Sequence, residues 1–209
     1  KPYYFKDECT EIKIFGLGSD GSVSASKSTI KILGESFDKN VQGYFEYDSK
    51  KSGSLTISHL RLSDKPIKSE YLLKFADVIS INNFSFVPRY NCLEGLKQNG
   101  IVVINSILMK DAIDKVIPVD YVKKLKETNS KLYLINAQKI ANECGLGQKI
   151  NIIMQTALFK CANLLNDEQI KTEISKYIES MFITKGKSVV EKNIKAMNMA
   201  LDSTEIVDV

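Results

Sequence analysis

Residues Glu11 to Gly21 read Glu-Ile-Lys-Ile-Phe-Gly-Leu-Gly-Ser-Asp-Gly, a β-prone run that feeds directly into Gly16-x-Gly18-x-x-Gly21. The next stretch, Ser22 to Leu33, puts Val23, Ile30 and Leu33 on one helical face, with Gly34 placed to end it. A strand, a glycine-rich turn and a helix start in that order form the first βα unit of a sheet covered by helices. At such a junction bare amides and the positive helix end face an anion. Gly16, Gly18, Ser19 and Gly21 are therefore candidate ligand-binding residues. A dinucleotide site also needs an acid after the second strand to hold a ribose. Glu46 and Asp48 come later than the usual spacing of about 20 residues. Asp20 would repel a phosphate unless it caps the helix. Both points count against a free-standing nicotinamide-dependent dehydrogenase.

The rest of the chain alternates in the same manner. Residues 1 to 10 read as an irregular lead-in. Val41–Tyr47, Leu55–Leu62, Ala76–Ile81, Ile101–Asn105 and Lys131–Ile135 read as strands. Arg89–Lys97, stopped near Gly100, and Asp120–Thr128 read as helices between them. The last third is helical. Ala137, Ile140, Ala141 and Cys144 repeat at helical spacing, and Asn151–Leu165 is a long apolar helix. Asn166 with Gln169 forms a capping-box pattern ahead of the stripe Ile170, Ile174, Tyr177, Ile178 and Met181. Val190, Ile194, Met197 and Leu201 form the last stripe. This alternation predicts one α/β unit over residues 1–209: a three-layer α/β/α sandwich with a mostly parallel, mixed, Rossmann-like sheet. The short turn between the second and third strands predicts a hairpin there.

A second anion-binding candidate lies in that turn. Lys50, Lys51, Ser52 and Gly53 combine two ammonium groups, a hydroxyl and a flexible amide. Ligands of such sheets bind beyond the C-terminal strand ends, which brings the lysines towards the glycine loop. The competing reading is a solvated hairpin turn. His59, the only histidine, has no partner spacing for a catalytic triad or a metal and reads as a structural or interface residue. Arg61 reads as half of a surface ion pair. Cys144-Gly-Leu-Gly-Gln-Lys-Ile-Asn151 reads as a helix stop followed by a helix start, with Lys149 able to face an anion or a neighbouring subunit. No catalytic set assembles.

Composition narrows the function classes. The net charge of +4 is interspersed rather than striped, which argues against nucleic-acid binding. The four cysteines have no C-x-x-C pair, so a metal or iron–sulfur site built from this chain alone is not expected. Cys144 and Cys161 read as small core residues. No apolar run approaches the ~20 residues of a membrane span, and a cytoplasmic, reducing setting is expected. Lys1-Pro2 without an initiating Met points to a part of a larger machine.

Several short stretches together carry a family resemblance. They are Gly-Leu-Gly-Ser-Asp-Gly at 16 to 21, Gln-Gly-Tyr-Phe at 42 to 45, Tyr-Asp-Ser-Lys-Lys-Ser-Gly at 47 to 53 and Ser-His-Leu-Arg at 58 to 61. Leu-Glu-Gly-Leu-Lys at 93 to 97, Ile-Asn-Ala at 135 to 137, Gly-Leu-Gly at 145 to 147 and Ile-Asn-Ile-Ile-Met-Gln at 150 to 155 follow in order. Together they resemble the gamma-type domain of the pyruvate:ferredoxin (flavodoxin) oxidoreductases, over nearly the whole chain. The resemblance implies an anaerobic-type enzyme that oxidatively decarboxylates pyruvate to acetyl-CoA and passes electrons to ferredoxin or flavodoxin. It implies thiamine diphosphate and iron–sulfur clusters held mainly by other domains, a dimeric full enzyme, and an isolated chain without activity. It places the enzyme in the cytoplasm, or in an anaerobic organelle in a eukaryote. For this chain it implies a Rossmann-like scaffold that packs against the other domains, with coenzyme A phosphates near the glycine loop and Lys50/Lys51. A pure assembly domain, with no ligand at the loop, is the alternative.

Overall fold

The computed structural model describes residues 7–48, 54–113 and 116–207. Seven strands form one sheet: β1 (Thr10–Leu17), β2 (Asn40–Tyr47), β3 (Leu55–Ser63), β4 (Ala76–Ile81), β5 (Leu96–Asn105), β6 (Lys131–Ile135) and β7 (Glu205–Val207), in the order β2-β3-β1-β4-β5-β6-β7. The neighbours β1, β4, β5 and β6 run parallel. β3 is antiparallel to both β1 and β2, and β7 is antiparallel to β6. The sheet is thus mixed, with a parallel centre and antiparallel edges. β2 runs in the direction of β1 with β3 inserted between them, so the β2–β3 hairpin fills the gap left by the first crossover.

The period-2 pattern of each strand divides its side chains between two cores. On one face Ile12, Ile14, Leu60, Leu62 and Val78 meet four helices. These are α1 (Ser22–Phe37), α5 (Asn151–Cys161), α6 (Asp167–Phe182) and α7 (Lys187–Asp202). Val103 and Ile135 extend that face towards α4 (Ala137–Glu143). On the other face Phe15, Ile79, Ile81, Val102, Ile104, Leu132 and Leu134 meet Phe86, Leu93, α2 (Lys110–Ile113) and α3 (Val119–Glu127). The expected α/β/α layering follows from this two-sided burial. α5 has no polar face because the sheet, α1, α6, α7 and α4 surround it, and Ile152 through Phe159 are all buried.

The expected boundaries differ from the observed ones in places that have a local cause. α1 runs through Gly34 to Phe37 and ends at Asp38, whose φ of 50° is left-handed. Gly34 serves close packing instead: a Cβ there would lie 3.1 Å from Val41 Cγ2 on β2. The expected helix Arg89–Lys97 does not form; turns lead into β5 from Leu96, and Gly100 lies within that strand. Gly95 stops any helix there, because its φ is +77° and a Cβ would sit 1.9 Å from the Lys74 carbonyl oxygen. The helix expected to reach Leu165 ends at Cys161, followed by Asn163 with φ 50°. The Asn166–Gln169 capping box forms with both reciprocal bonds. β7, short and at the sheet edge, had no readable pattern.

Candidate functional site

The glycine loop leaves β1 at the C-terminal edge of the parallel strands. Gly16 lies there for packing: a Cβ would stand 2.3 Å from Ser22 Oγ and 2.4 Å from Ser22 Cβ, so only hydrogen lets α1 start this close to the strand. Gly21, at φ +87°, caps α1, and a Cβ on it would lie 2.5 Å from Asn151 Nδ2. Ser19 is also left-handed, with φ 72°. The loop's amides are partly engaged from within. Asp20 accepts from Leu17 N at 2.9 Å and from Ser22 N at 2.6 Å. Gly18 N donates to Ser54 O at 2.7 Å, and Asp20 N to Leu17 O at 3.2 Å. The amides of Ser19 and Gly21 have no hydrogen-bond partner among the described residues. Asp20 therefore engages the first amide of α1 from just outside the cap, and its carboxylate holds a negative charge at the loop.

Lys50, Lys51, Ser52 and Gly53 lie outside the described residues. Their flanks are fixed. Tyr47 pairs with Thr56, and Thr56 with Gly16, so the β2–β3 turn leaves and returns at the end of the sheet that carries the glycine loop. Ser54 meets Gly18 directly. The acid expected of a dinucleotide site is otherwise occupied: Glu46 Oε2 lies 2.6 Å from His59 Nε2.

Sequence reasoning missed the polarity of the sheet's second face. In the register of β2, β3 and β1, Gln42, Arg61 and Glu11 form one row, and Tyr44, His59 and Lys13 the next. Arg61 is 1% exposed, not a surface residue. It donates to Gln42 Oε1 at 2.6 Å and to Tyr71 O at 2.7 Å, stacks on the Tyr71 ring and lies 3.7 Å from Glu11. Lys97 joins Glu11 and Asp77, each at 2.8 Å. Burial works against the Lys97 charge, and bonds to Asp77 and Glu11 more than offset it, raising its pKa. His59 is buried, with Nδ1 accepting from Leu73 N at 3.2 Å and Nε2 facing Glu46, so the ring is neutral with its proton on Nε2. Burial lowers its pKa against the pull of Glu46. The structural reading of His59 thus fits its surroundings. Alternation in Glu11-Ile-Lys-Ile and His-Leu-Arg was the available signal, since Glu11, Lys13, His59 and Arg61 share one face.

None of these groups forms a nucleophile–base pair. Burial raises the thiol of Cys92, and that of Cys161 to about 11, and both are buried as Cys144 is. These are inert thiols. Among the described residues no cluster of three or more His, Cys, Asp and Glu could hold a metal ion, and no helix is long and apolar enough to cross a membrane.

Comparison with known proteins gives a consistent result. The family model described as pyruvate ferredoxin/flavodoxin oxidoreductase matches residues 11–203. The pyruvate:ferredoxin oxidoreductase of Moorella thermoacetica is 46% identical over 193 residues, which is 92% of this chain and 16% of that protein. The chain thus spans about a sixth of the length of the curated relatives it matches. The crystal structure of the pyruvate oxidoreductase subunit PORC from Thermotoga maritima matches with a TM-score of 0.75 at 22% identity, covering 97% of this chain and all of that one. The 2-oxoglutarate:ferredoxin oxidoreductase from Magnetococcus marinus, solved with 2-oxoglutarate, coenzyme A and succinyl-CoA, matches with a TM-score of 0.67 at 17% identity. That match covers 93% of this chain and 31% of that one. The glycine loop, the lysine turn's flanks and the Ser-His-Leu-Arg strand all lie within the matched span, and this chain belongs to the pyruvate ferredoxin/flavodoxin oxidoreductase family.

Proposed function

We propose that this chain is the gamma-type domain of a pyruvate:ferredoxin (flavodoxin) oxidoreductase, working as a scaffold against the enzyme's other domains and meeting coenzyme A at its glycine loop. The observation that carries the first part is the 46% identity extending over 92% of the chain. The complete enzyme would oxidatively decarboxylate pyruvate, form acetyl-CoA and reduce ferredoxin or flavodoxin, as a cytoplasmic dimer. Thiamine diphosphate would supply carbanion stabilisation and iron–sulfur clusters would supply electron transfer. The buried, dispersed Cys92, Cys144 and Cys161 do not fit a cluster, which supports a reading in which other domains hold the iron–sulfur clusters.

The residues at the loop fit an anionic ligand in part. Asp20 already takes the Leu17 and Ser22 amides, while Ser19 and Gly21 keep theirs. The loop therefore offers two amides and the positive start of α1, and Lys50 and Lys51 would supply the opposing charge. Coenzyme A carries a 3′-phosphate and a diphosphate, either of which suits that combination. The Magnetococcus enzyme of similar fold was solved with coenzyme A.

The test uses the complete enzyme. Lys50→Ala with Lys51→Ala should raise KM for coenzyme A about tenfold, with kcat and the KM for pyruvate unchanged, since uniform binding is what such contacts provide. An unchanged KM for coenzyme A would overturn the coenzyme A contact and favour the assembly-only reading. Asp20 supports that reading by filling half of the amide nest from within.

A further inference from the structure

The motif Ile-Asn-Ile-Ile-Met-Gln at 150 to 155 contains two amides, Asn151 and Gln155, that neither the core nor the loop's ligand chemistry explains. They stand one turn apart on α5, on the face turned towards α1. A void of about 10 Å³ lies between the helices, bordered by Ser22, Ser26, Ser80, Asn82, Asn151 and Gln155. We propose that this void, at the start of α1 where the glycine loop ends, binds one water molecule through Asn151 Oδ1 and Gln155 Oε1, and that this water helps hold the start of α1 to α5.

The amide orientations follow from their neighbours. Gln155 Nε2 faces Ser28 Oγ at 2.8 Å and Thr29 Oγ1 at 3.0 Å. Both hydroxyls donate their single proton to Ala25 O, at 2.8 and 2.9 Å, so towards Gln155 they can only accept. The nitrogen must face them, and the oxygen must face away. Asn151 Nδ2 donates to the Asp20 carbonyl at 2.6 Å, which likewise only accepts. Its oxygen is turned by the same logic. Both oxygens, Asn151 Oδ1 and Gln155 Oε1, are buried without a hydrogen-bond partner, and Gln155 as a whole is 3% exposed. Two buried acceptors on one helix face are costly unless a donor reaches them.

The guest's chemistry is fixed by what is missing. It must bring two donors. It can accept from Ser22 Oγ, which receives from Asn82 Nδ2 at 3.5 Å and has no acceptor of its own among the described residues. Two bonds given and one received is the ordinary complement of a buried water, and the void is of single-water size. A cation would satisfy the oxygens, but no carboxylate borders the void to balance its charge. The water then completes a path from α5 to the loop, since Asn151 also holds Asp20, whose carboxylate closes the loop on Leu17 and Ser22. Asn151 and Gln155 act as positioning residues for that loop, whichever ligand the loop meets.

A crystal structure of the complete enzyme, at a resolution where single waters are placed, tests the site. One density peak within hydrogen-bond distance of both oxygens is expected. An empty seam, or a peak with five or six oxygens at cation distances, overturns the assignment. Amide hydrogen exchange tests the anchoring. In Gln155→Met, of nearly equal volume, the peak should vanish and the bonded amides of Asp20 and Ser22 should exchange at least tenfold faster, with those of α6 unchanged. Unchanged loop exchange overturns the anchoring role. Should Gln155→Met fail to fold, the density peak in the unaltered enzyme decides, because Asn151→Leu also removes the direct bond to the Asp20 carbonyl.

Discussion

Arg61→Met is the most informative single change outside the glycine loop. The guanidinium is fully enclosed and donates to Gln42 Oε1 and the Tyr71 carbonyl. Hydrogen bonds from a charged donor contribute about 1.5–3 kcal/mol each, and the stack on Tyr71 adds about 0.5–2 kcal/mol. Met fills most of the volume and removes the desolvation cost of the charge, which offsets part of that loss. Glu11 is not stranded, because Lys97 holds it at 2.8 Å. Gln42 Oε1 and Tyr71 O do lose their donor. The net expectation is a loss of about 3 kcal/mol, near the lower end for removing one partner of a buried ionic network. Urea denaturation of the chain measures it, with the slope against denaturant unchanged. A change within about 0.5 kcal/mol of zero, or a gain, would refute the reasoning, because it would make the buried guanidinium replaceable by apolar packing.

Other outcomes follow from the same geometry. Stability should fall as pH drops below about 6.5: burial holds the His59 pKa below its unfolded value, so below that pH the unfolded chain binds the extra proton. His59→Phe should remove that pH dependence from urea midpoints measured between pH 7.5 and 5, and a wild-type midpoint that rises on acidification through this window would contradict the buried neutral ring. Gly16→Ala should cost about 1–3 kcal/mol by driving Ser22 from the strand, with partial recovery in Gly16→Ala/Ser22→Gly; no recovery would place the strain elsewhere. Asn166→Ala should cost about 1 kcal/mol in thermal or urea unfolding through loss of the capping box of α6, and a neutral result would show the cap to be dispensable.

The parts of the fold that were legible in the sequence are those where one local rule acts alone. Ala76–Ile81 and Lys131–Ile135 read directly as strands because both faces are buried and nothing competes. The capping box read directly because its two bonds join residues three apart. Errors arose where a glycine had two possible meanings. Gly34 looked like a helix stop but lets α1 approach Val41, and Gly95 looked like a helix interior but accommodates the Lys74 carbonyl. The glycine loop was legible as a βα junction, whereas the closure of two of its amides by Asp20 depends on a turn conformation that no spacing rule encodes. Arg61 and Lys13 were illegible for a different reason. Alternation puts them on one polar face, but their burial comes from the irregular segments at 71–74 and 94 folding over that face, which no periodicity marks.

The central claim is that the β1–α1 loop of this domain meets coenzyme A in the complete enzyme. A crystal structure of that enzyme with coenzyme A bound tests it most directly. The account predicts a phosphate oxygen of coenzyme A within hydrogen-bond distance of the Ser19 or Gly21 amide, and Lys50 or Lys51 closing on the same group. Coenzyme A bound with no contact to residues 16–21 or 50–53 would contradict it and leave this domain a scaffold alone.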